Sequence, residues 1–460
     1  MTMKTINIYL ITLLFGLMCL QGCGEDDLDL KPISAIGDNA FYSNTDEVEG
    51  GVLAIYDGLQ EVPLREFALT EMRSDNTRTK SREGDWAQFE SLNVQPTNNV
   101  VGDYWAANYN VIFRANTVLR HLDAVDNDAL RDQFEGEAKF TRALANFNLV
   151  RAYGDVPLVD KVIKPEDESY FDRDAAADVL AFIANDLEDA VSMLPSRGAV
   201  DEGRATNGAA RALLAKVHLT LNNYAAAETR LAELIADGSY ALQDEYHDVF
   251  YNERNTEIIF AIQYMDDDTQ ESQDFSFEMT NNGTVSGLNY ITDEFAAFVD
   301  VNDTERAAVF FSPDNTDEVG KFLTESTDIR LCGNDWIVLR LADVFLMHAE
   351  AIMAGNASTQ DLDALASYNA IRERVGLSTL PLDGSATLTK QMLLDERRAE
   401  LAFENHRLYD LIRFGEAENV MRDFAGANGF AFSATDLLLP IPQTEINVSN
   451  GLLKQNRGYN

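Results

Sequence analysis

Two glutamates on one predicted helix have the spacing of a candidate catalytic pair. Over Leu388–Glu404, Met392, Glu396, Glu400 and Phe403 follow one another at intervals of 4, 4 and 3 residues, so they share one helix face. Paired carboxylates are the residue types of a glycosidase acid and base. The same face carries apolar residues, however, and a charge that faces a core must be paired.

Arginines that could pair with these glutamates occur in neighbouring segments, at Arg340, Arg372, Arg407 and Arg413. No cleft-forming loop flanks the two glutamates. We therefore expect a structural ion-pair network that locks helix to helix, and a surface glycoside hydrolase remains the alternative.

Other catalytic signatures are missing. The sequence contains no Gly-x-Ser-x-Gly, His-Glu-x-x-His or Cys-x-x-Cys motif, and its 5 histidines are scattered without ligand spacing. His218 and His348 lie among apolar residues at helical spacing, which is typical of core or boundary histidines. The run Asp266–Asp268 lacks the alternating oxygen ligands of a Ca²⁺ loop and is typical of a solvated turn. We expect no enzyme activity, no metal site and no cofactor.

Aromatic residues point to a different chemistry. A neutral sugar offers an apolar C–H face to an aromatic ring and hydroxyls to polar side chains. Trp86 stands in a polar segment, Glu83–Gln88, where a core role is hard to arrange. We predict that Trp86 is a stacking platform, with an anchor packed beneath the surface as the alternative. Trp105 lies in a helical pattern and is expected in the core, and Trp336, expected to open a helix, is expected to be partly buried.

The charge balance narrows the ligand class. There are 36 Lys and Arg against 77 Asp and Glu, for a net charge of −41. This excludes the phosphate neutralisation on which nucleic-acid binding depends, and it disfavours a highly anionic glycan unless arginines cluster locally. Solvated carboxylates that keep a protein soluble in salty water explain the acidity equally well. A neutral glycan such as a β-glucan is the expectation.

The elements that must position these residues are predicted to be helices with apolar residues at helical spacing. They cover 134–153, 173–194, 206–221, 224–235, 336–353, 362–375 and 388–403. Alanine-rich faces favour closely packed antiparallel pairs, as in a helical-repeat solenoid, although no strict repeat period is visible. Residues 74–104 and 263–335 break the pattern, the second with one short helix around 294–299, and an extended strap is predicted from Pro440 onward.

The N-terminus has the order of a lipoprotein export signal. Lys4 precedes an apolar run from Ile8 to Leu20, which is too short to span a bilayer, and Leu20-Gln21-Gly22-Cys23 is similar to a bacterial lipobox. We predict that residues 1–22 are removed and that Cys23 carries the lipid anchor. With Cys19 lost and Cys23 acylated, Cys332 has no disulfide partner.

Sequence blocks in order along the chain resemble the SusD/RagB family of nutrient-uptake lipoproteins of the outer membrane. The blocks are Trp105 to Asn116, Gly136 to Leu158, Gly203 to Thr206, Leu339 to Ala351, Asn369 to Leu377, Glu396 to Arg413, Pro440 to Pro442 and Gln455 to Tyr459. Arg457 stands where the family more often has proline. The acidic Glu25 to Asp27 after Cys23 resembles the signal that sends lipoproteins to the outer face of the membrane.

The resemblance implies an all-α, TPR-like helical-repeat scaffold with long irregular loop regions forming the ligand face. The expected divisions are a signal peptide (1–22), a lipidated tether (23–45), an N-terminal helical region (46–262), an irregular ligand-face insertion (263–335) and a C-terminal helical region with its strap (336–460). It further implies a non-catalytic, surface-exposed protein that captures oligosaccharides and passes them to a SusC-like TonB-dependent transporter. A scaffold that binds only proteins is a second alternative.

By region, the resemblance implies glycan contacts in Glu71–Arg78 and in the second polar stretch. The candidates, with Trp86, are Asp75, Asn76, Arg78, Tyr290 and Trp336. Asp75 has the alternative role of capping a helix or turn.

Overall fold

The computed structural model describes residues 41–459 except 80–83, 165, 281–288, 325, 327, 329 and 330, and Cys23 and most of the predicted tether lie outside them. The first helices are α1 (Thr45–Gln60), α2 (Pro63–Leu69), α3 (Gly84–Glu90), α4 (Asn99–Arg120), α5 (Asp128–Tyr153), α6 (Ala176–Met193), α7 (Asn207–Thr220), α8 (Tyr224–Asp237) and α9 (Asp248–Tyr251). They continue with α10 (Phe275–Thr280), α11 (Asp293–Phe298), α12 (Thr304–Phe310), α13 (Leu341–Met353), α14 (Leu362–Arg374), α15 (Lys390–Glu400), α16 (Arg407–Arg413), α17 (Ala417–Asn428) and α18 (Gln443–Val448). Within the described ranges, no helix is both long enough and apolar enough to cross a bilayer.

The scaffold is a row of helices in which each packs on the next. The row runs α1, α4, α5, α6, α7, α8, α13 and α14. Buried alanines such as Ala143 and Ala210 let the axes approach closely, and side chains cap the helix starts, as where Thr206 accepts from the Ala209 amide. The predicted all-α scaffold of helix pairs is confirmed.

Short antiparallel strand pairs join distant parts of the chain. They are β1 (Thr77–Arg78) with β3 (Tyr290–Ile291), β2 (Ile258–Ile262) with β4 (Trp336–Arg340), and β5 (Ser358–Thr359) with β6 (Leu388–Thr389). The helix predicted over 336–353 is therefore wrong in its first turn. An apolar run of this length satisfies a strand equally well, and pairing with β2 decides between them.

The polar stretches are more regular than their composition predicts. Residues 263–335 contain α10, α11 and α12 rather than one short helix, and residues 74–104 contain α3 and the start of α4. The C-terminal strap is extended at Pro440–Pro442 and then forms α18. Asn456 fixes it to the scaffold by donating hydrogen bonds to the carbonyl oxygens of Tyr153 and Leu439.

Candidate functional site

The predicted glutamate pair lies in a buried ion network. Arg340 and Arg306 contact Glu400, whereas Arg372 and Arg306 contact Glu396. Burial raises the pKa of Glu400, but the surrounding arginine charges outweigh it and hold that pKa below its usual range. A carboxylate that is inaccessible and held ionised cannot serve as a general acid. The structural interpretation of this pair is confirmed.

The predicted partners of these glutamates are half right. Arg340 and Arg372 pair with them, but Arg407 binds Asp75 and Arg413 binds Glu350. Arg306 and Arg374 were missed. Arg306 comes from a short helix in a polar stretch that the sequence pattern does not reveal, whereas Arg374 lies on the predicted helix over 362–375.

Asp75 and Asn76 are buried structural residues. The Asp75 carboxylate binds the Arg407 guanidinium at 2.7 Å and that of Arg398 at 3.1 Å, and Asn76 Oδ1 accepts from Arg398 Nε at 2.9 Å. Burial raises the pKa of Asp75, but hydrogen bonding and charge from Arg407, together with Arg398, lower it overall. Their burial argues against direct contact with a glycan.

Tyr290 and Trp336 are also buried, each with about 3 % of its surface exposed. Trp336 lies on β4 against Phe275 and Phe322, with ring centroids 5.2 and 5.1 Å away, and Tyr290 lies in β3 opposite Arg78. A ring without an open face cannot stack on a sugar. The expectation that Trp336 is only partly buried is wrong, whereas Trp105 is in the core as predicted.

Arg78 reaches the surface from β1. Its backbone pairs with Tyr290 across the two-stranded sheet, and its guanidinium lies 3.7 Å from the exposed carboxylate of Asp317. An exposed arginine beside an exposed carboxylate presents donors and acceptors together, which is the pairing that sugar hydroxyls require.

Trp86 lies on α3 and is partly exposed. Its ring stacks on that of the buried Phe67, with centroids 5.6 Å apart and planes 6° from parallel. This contact holds the ring in a fixed plane, so little side-chain entropy is lost when a ligand binds. The contact with Phe67 agrees with the anchor interpretation, and because part of the residue stays accessible, the stacking role stays a prediction.

Glu90 connects Trp86 to Arg78. It lies four residues after Trp86, on the same face of α3, and its carboxylate accepts from the Thr79 amide at 2.9 Å. Thr79 directly follows Arg78, so the end of β1 runs beside that face. We call Arg78, Trp86 and Asp317 the Trp86 surface.

Exposed amides that the sequence interpretation missed flank the other side of α3. Gln95 donates its backbone amide to Gln88 on α3, and Asn99 donates to Asp85 at 3.0 Å. The side chain of Gln95 in turn donates to the exposed Asn93. The Asn-rich composition of 74–104 was the available signal, although composition did not identify which amides are exposed.

The part of the chain that the structure describes holds no cluster of three or more His, Cys, Asp or Glu side chains arranged for a metal ion. The Trp86 surface offers a fixed ring and one ion pair, with exposed amides on the other side of α3. That set suits hydrogen bonding and stacking rather than bond cleavage.

Comparison with protein families gives two matches. A model of the SusD family matches residues 318–459, and a model described as starch-binding and associating with the outer membrane matches residues 28–219. A similar curated sequence is the SusD-like protein P38 of Formosa agariphila, which is 26 % identical over 92 % of this chain and 94 % of that protein. A SusD-like protein of Bacteroides ovatus is 24 % identical over 86 % of this chain and 80 % of its own.

Solved structures give the same fold. A laminarin-binding SusD-like protein is 28 % identical, with a TM-score of 0.74 over 91 % of this chain and 100 % of that chain. Surface glycan-binding protein A from Bacteroides thetaiotaomicron, in complex with laminarihexaose, is 23 % identical, with a TM-score of 0.75 over 90 % of this chain and 99 % of its own.

Proposed function

The chain belongs to the SusD family of non-catalytic glycan-binding proteins, and we propose that it captures a neutral β-glucan at the outer membrane and delivers it to a SusC-like TonB-dependent transporter. The observation that carries the proposal is the partly exposed Trp86 ring, which is fixed against Phe67 on a helix that Glu90 joins to Thr79, the residue after Arg78. The laminarin-binding neighbour supports a β-glucan as the first ligand to test.

The chemistry of the Trp86 surface supports a neutral ligand. A glucan ring presents an apolar C–H face to the indole, while its hydroxyls donate to Asp317 and accept from Arg78. The Arg78 charge is matched by Asp317, so the surface has no surplus cation to attract an acidic sugar. The overall charge of −41 also disfavours an acidic ligand.

The site is open, and its affinity follows from that. A ligand on one partly exposed ring and one ion pair loses only part of its hydration, so we expect a Kd in the micromolar range, about −8 kcal/mol. Such an affinity suits a protein that must release its ligand to a transporter.

The test is affinity electrophoresis and calorimetry with laminarin. Removing a stacked ring worth about 1.5 kcal/mol weakens binding about tenfold, so Trp86→Ala should lose most of its retardation and Trp86→Phe should keep part of it. Phe113→Ala is the matched control, because Phe113 is 54 % exposed on α4 and is not part of the Trp86 surface. Laminarin binding that is unchanged in Trp86→Ala contradicts the assignment of this surface.

Delivery to the transporter is tested separately. We propose that acyl chains on Cys23 hold the protein to the outer face of the membrane, with the segment between Cys23 and Phe41 as a tether that lets it swing as a lid. Deleting part of the tether should reduce glycan uptake by cells while laminarin affinity stays unchanged. Unchanged uptake would count against the hinged lid.

The same protein and variants also test the two alternative functions, a glycoside hydrolase and a scaffold that binds only proteins. Laminarihexaose that keeps its length after prolonged incubation excludes hydrolysis, which the buried positions of Glu396 and Glu400 already disfavour. If the protein only bound other proteins, Trp86→Ala would leave both glycan retardation and co-purification with the transporter unchanged. Under our proposal, the glycan signal falls and the co-purification persists.

A further inference from the structure

A second cavity, of about 590 Å³, lies away from the Trp86 surface and shares none of its residues. It opens where the C-terminal end of α5 meets α7, α16 and the C-terminal strap. Its volume falls in the range of small-molecule sites, about 300–1,000 Å³. Nothing in the proposed capture of a neutral glucan uses it.

The cavity wall carries more positive than negative charge, in a protein whose net charge is −41. Its charged side chains are Arg151, Arg173, Lys216, Arg413, Asp155 and Asp410. Two of these cations are neutralised within the protein, because Lys216 binds Asp343 at 2.7 Å and Arg413 binds Asp410 at 2.7 Å. The other two cations, Arg151 and Arg173, make no such ion pair in the described part of the chain.

Arg151 has no ion-pair partner among the described residues, and its side chain instead donates to the Phe147 carbonyl oxygen and to Asn148. Its guanidinium lies 4.3 Å from the ring centroids of both Phe147 and Tyr409, and Nη2 donates to Asn148 Oδ1 at 2.8 Å. Aromatic faces and an amide fix the position of this cation without cancelling its charge. The opposing charge of Glu66 acts on Arg151 at longer range and makes no direct ion pair with it.

Arg173 is held in the same way by neutral groups. Its Nε donates to the Asp155 carbonyl oxygen at 2.7 Å, and its Nη1 donates to the Lys454 carbonyl oxygen at 3.1 Å. The Asp155 carboxylate is engaged elsewhere, as the acceptor for the Ala176 amide. Within the described ranges no carboxylate lies within ion-pair distance of Arg173, although the charges of Asp155 and Asp172 act on it from further away. Two positioned guanidinium groups without a direct ion pair therefore line one cavity.

The rest of the wall is suited to a sugar ring. Val150, Ile412 and Leu438 provide apolar surface, and Thr220 and Asn222 provide neutral hydrogen-bonding groups. Tyr409 is buried, and its hydroxyl has no hydrogen-bond partner among the residues that the structure describes. Burial lowers the pKa of His406, another wall residue, to about 3, so this imidazole is neutral and adds no positive charge.

We propose that this cavity binds a sugar unit that carries one negative charge, as a carboxylate or a sulfate ester. The anionic group lies between Arg151 and Arg173, where planar guanidinium groups form charge-assisted hydrogen bonds with it. The ring lies against the apolar wall. This local pair of cations overrides the repulsion that the whole-protein charge exerts on acidic ligands. The protein thereby gains a second specificity, separate from neutral-glucan capture.

The test is calorimetry of the full mature chain with galacturonate, galactose 6-sulfate, galactose and inorganic sulfate. We expect at least one acidic sugar to bind at least tenfold more tightly than galactose and than inorganic sulfate. Arg151→Gln and Arg173→Gln should each weaken that binding tenfold or more. Arg422→Gln, which removes a cation that is 58 % exposed on α17, should leave it unchanged.

Each outcome decides the proposal. Equal binding of the acidic sugars and galactose overturns it, as does equal binding of inorganic sulfate, which indicates an anion site without sugar recognition. Unchanged affinity in both Arg151→Gln and Arg173→Gln, with melting curves like the parent's, also overturns it. Should one variant fold poorly, the other keeps the test intact. Trp86→Ala should retain acidic-sugar binding, so failure of the glucan proposal is distinguishable from failure of this one.

Discussion

Arg340→Met should destabilise the protein strongly, because Arg340 lies at the centre of the buried ion network. Its side chain is 1 % exposed, and its guanidinium contacts the carboxylates of Glu257 at 2.9 Å, Glu404 at 2.7 Å and Glu400. Methionine has a similar stem and no charge, so the variant removes the ion pairs with little change in volume.

The size of this loss in stability depends on the ion pairs that remain in the variant. Breaking a buried pair from one side costs about 3–5 kcal/mol, because it leaves an uncompensated charge. Here Glu257 and Glu400 keep Arg374, and Glu404 keeps Lys321 at 2.6 Å. No carboxylate is left wholly unpaired, so we expect the low end of that range, about 3 kcal/mol.

The loss should depend on pH in a defined direction. Burial raises the pKa of Glu404, but Arg340 and Lys321 lower it overall, and the pKa of Glu400 is lowered in the same way. Their stabilisation is present above the unfolded pKa of about 4.3 and is lost as the pH falls through the folded values. Without Arg340 these folded values rise. The deficit of the variant should therefore shrink once the pH falls below about 4.3, and it should be smaller at pH 3 than at pH 7.

The assay is urea unfolding followed by circular dichroism at both pH values, with Arg422→Met as the exposed control. A deficit below about 1 kcal/mol at pH 7, typical of surface ion pairs, refutes the reasoning. A deficit that grows on acidification refutes the pH argument. Laminarin binding per folded molecule should be unchanged, because Arg340 is not part of the Trp86 surface.

Three further changes test other parts of the structure. Burial raises the pKa of Glu71 to about 7, so the folded state keeps the carboxyl proton that the unfolded state releases above about pH 4.3. The free energy of unfolding therefore falls as the pH rises from about 4.3 to about 7, and Glu71→Gln should flatten that slope in urea midpoints measured from pH 4 to pH 8. Gly203 has φ +91°, and a Cβ there lies 2.2 Å from Gln263 Oε1, so Gly203→Ala should cost about 1–3 kcal/mol, visible as a lower unfolding midpoint. Asp75→Asn breaks the buried pair with Arg407 and should cost about 3 kcal/mol; laminarin affinity per folded molecule should hold, and a selective loss of affinity would restore Asp75 as a ligand contact.

The long helices were predictable because their apolar periodicity is strong. The helix expected over 206–221 occurs as Asn207–Thr220, and that over 224–235 as Tyr224–Asp237. The strand at Trp336–Arg340 was not predictable, because its partner β2 lies about 75 residues earlier. Apolar periodicity carries no information on pairing between segments that are distant in sequence. The short helices in 263–335 lack the length over which periodicity can be recognised.

The exposure of the candidate site residues was predictable only in part. A tryptophan in a polar segment identified Trp86, whose ring is partly exposed. Asp75 and Asn76 are indistinguishable in sequence from polar surface residues, since the arginines that bury them follow more than 320 residues later. The second cavity is assembled from segments spread over 147–456, so neighbouring residues in the sequence give no sign of it.

The contacts between the two ends of the chain also set an order of folding. The pair between Asp75 and Arg407 spans 332 residues, and the bond from Asn456 to the Tyr153 carbonyl spans 303. As the chain is synthesised, helices α1 to α8 emerge first. The arginines and the C-terminal strap that bind this N-terminal part emerge later. Contacts of such long range make folding slow, and incomplete chains expose apolar surface in the meantime. A chain truncated before residue 407 should therefore be bound by chaperones or degraded by proteases. Its N-terminal half lacks the arginine charges that pair with its buried carboxylates in the complete protein.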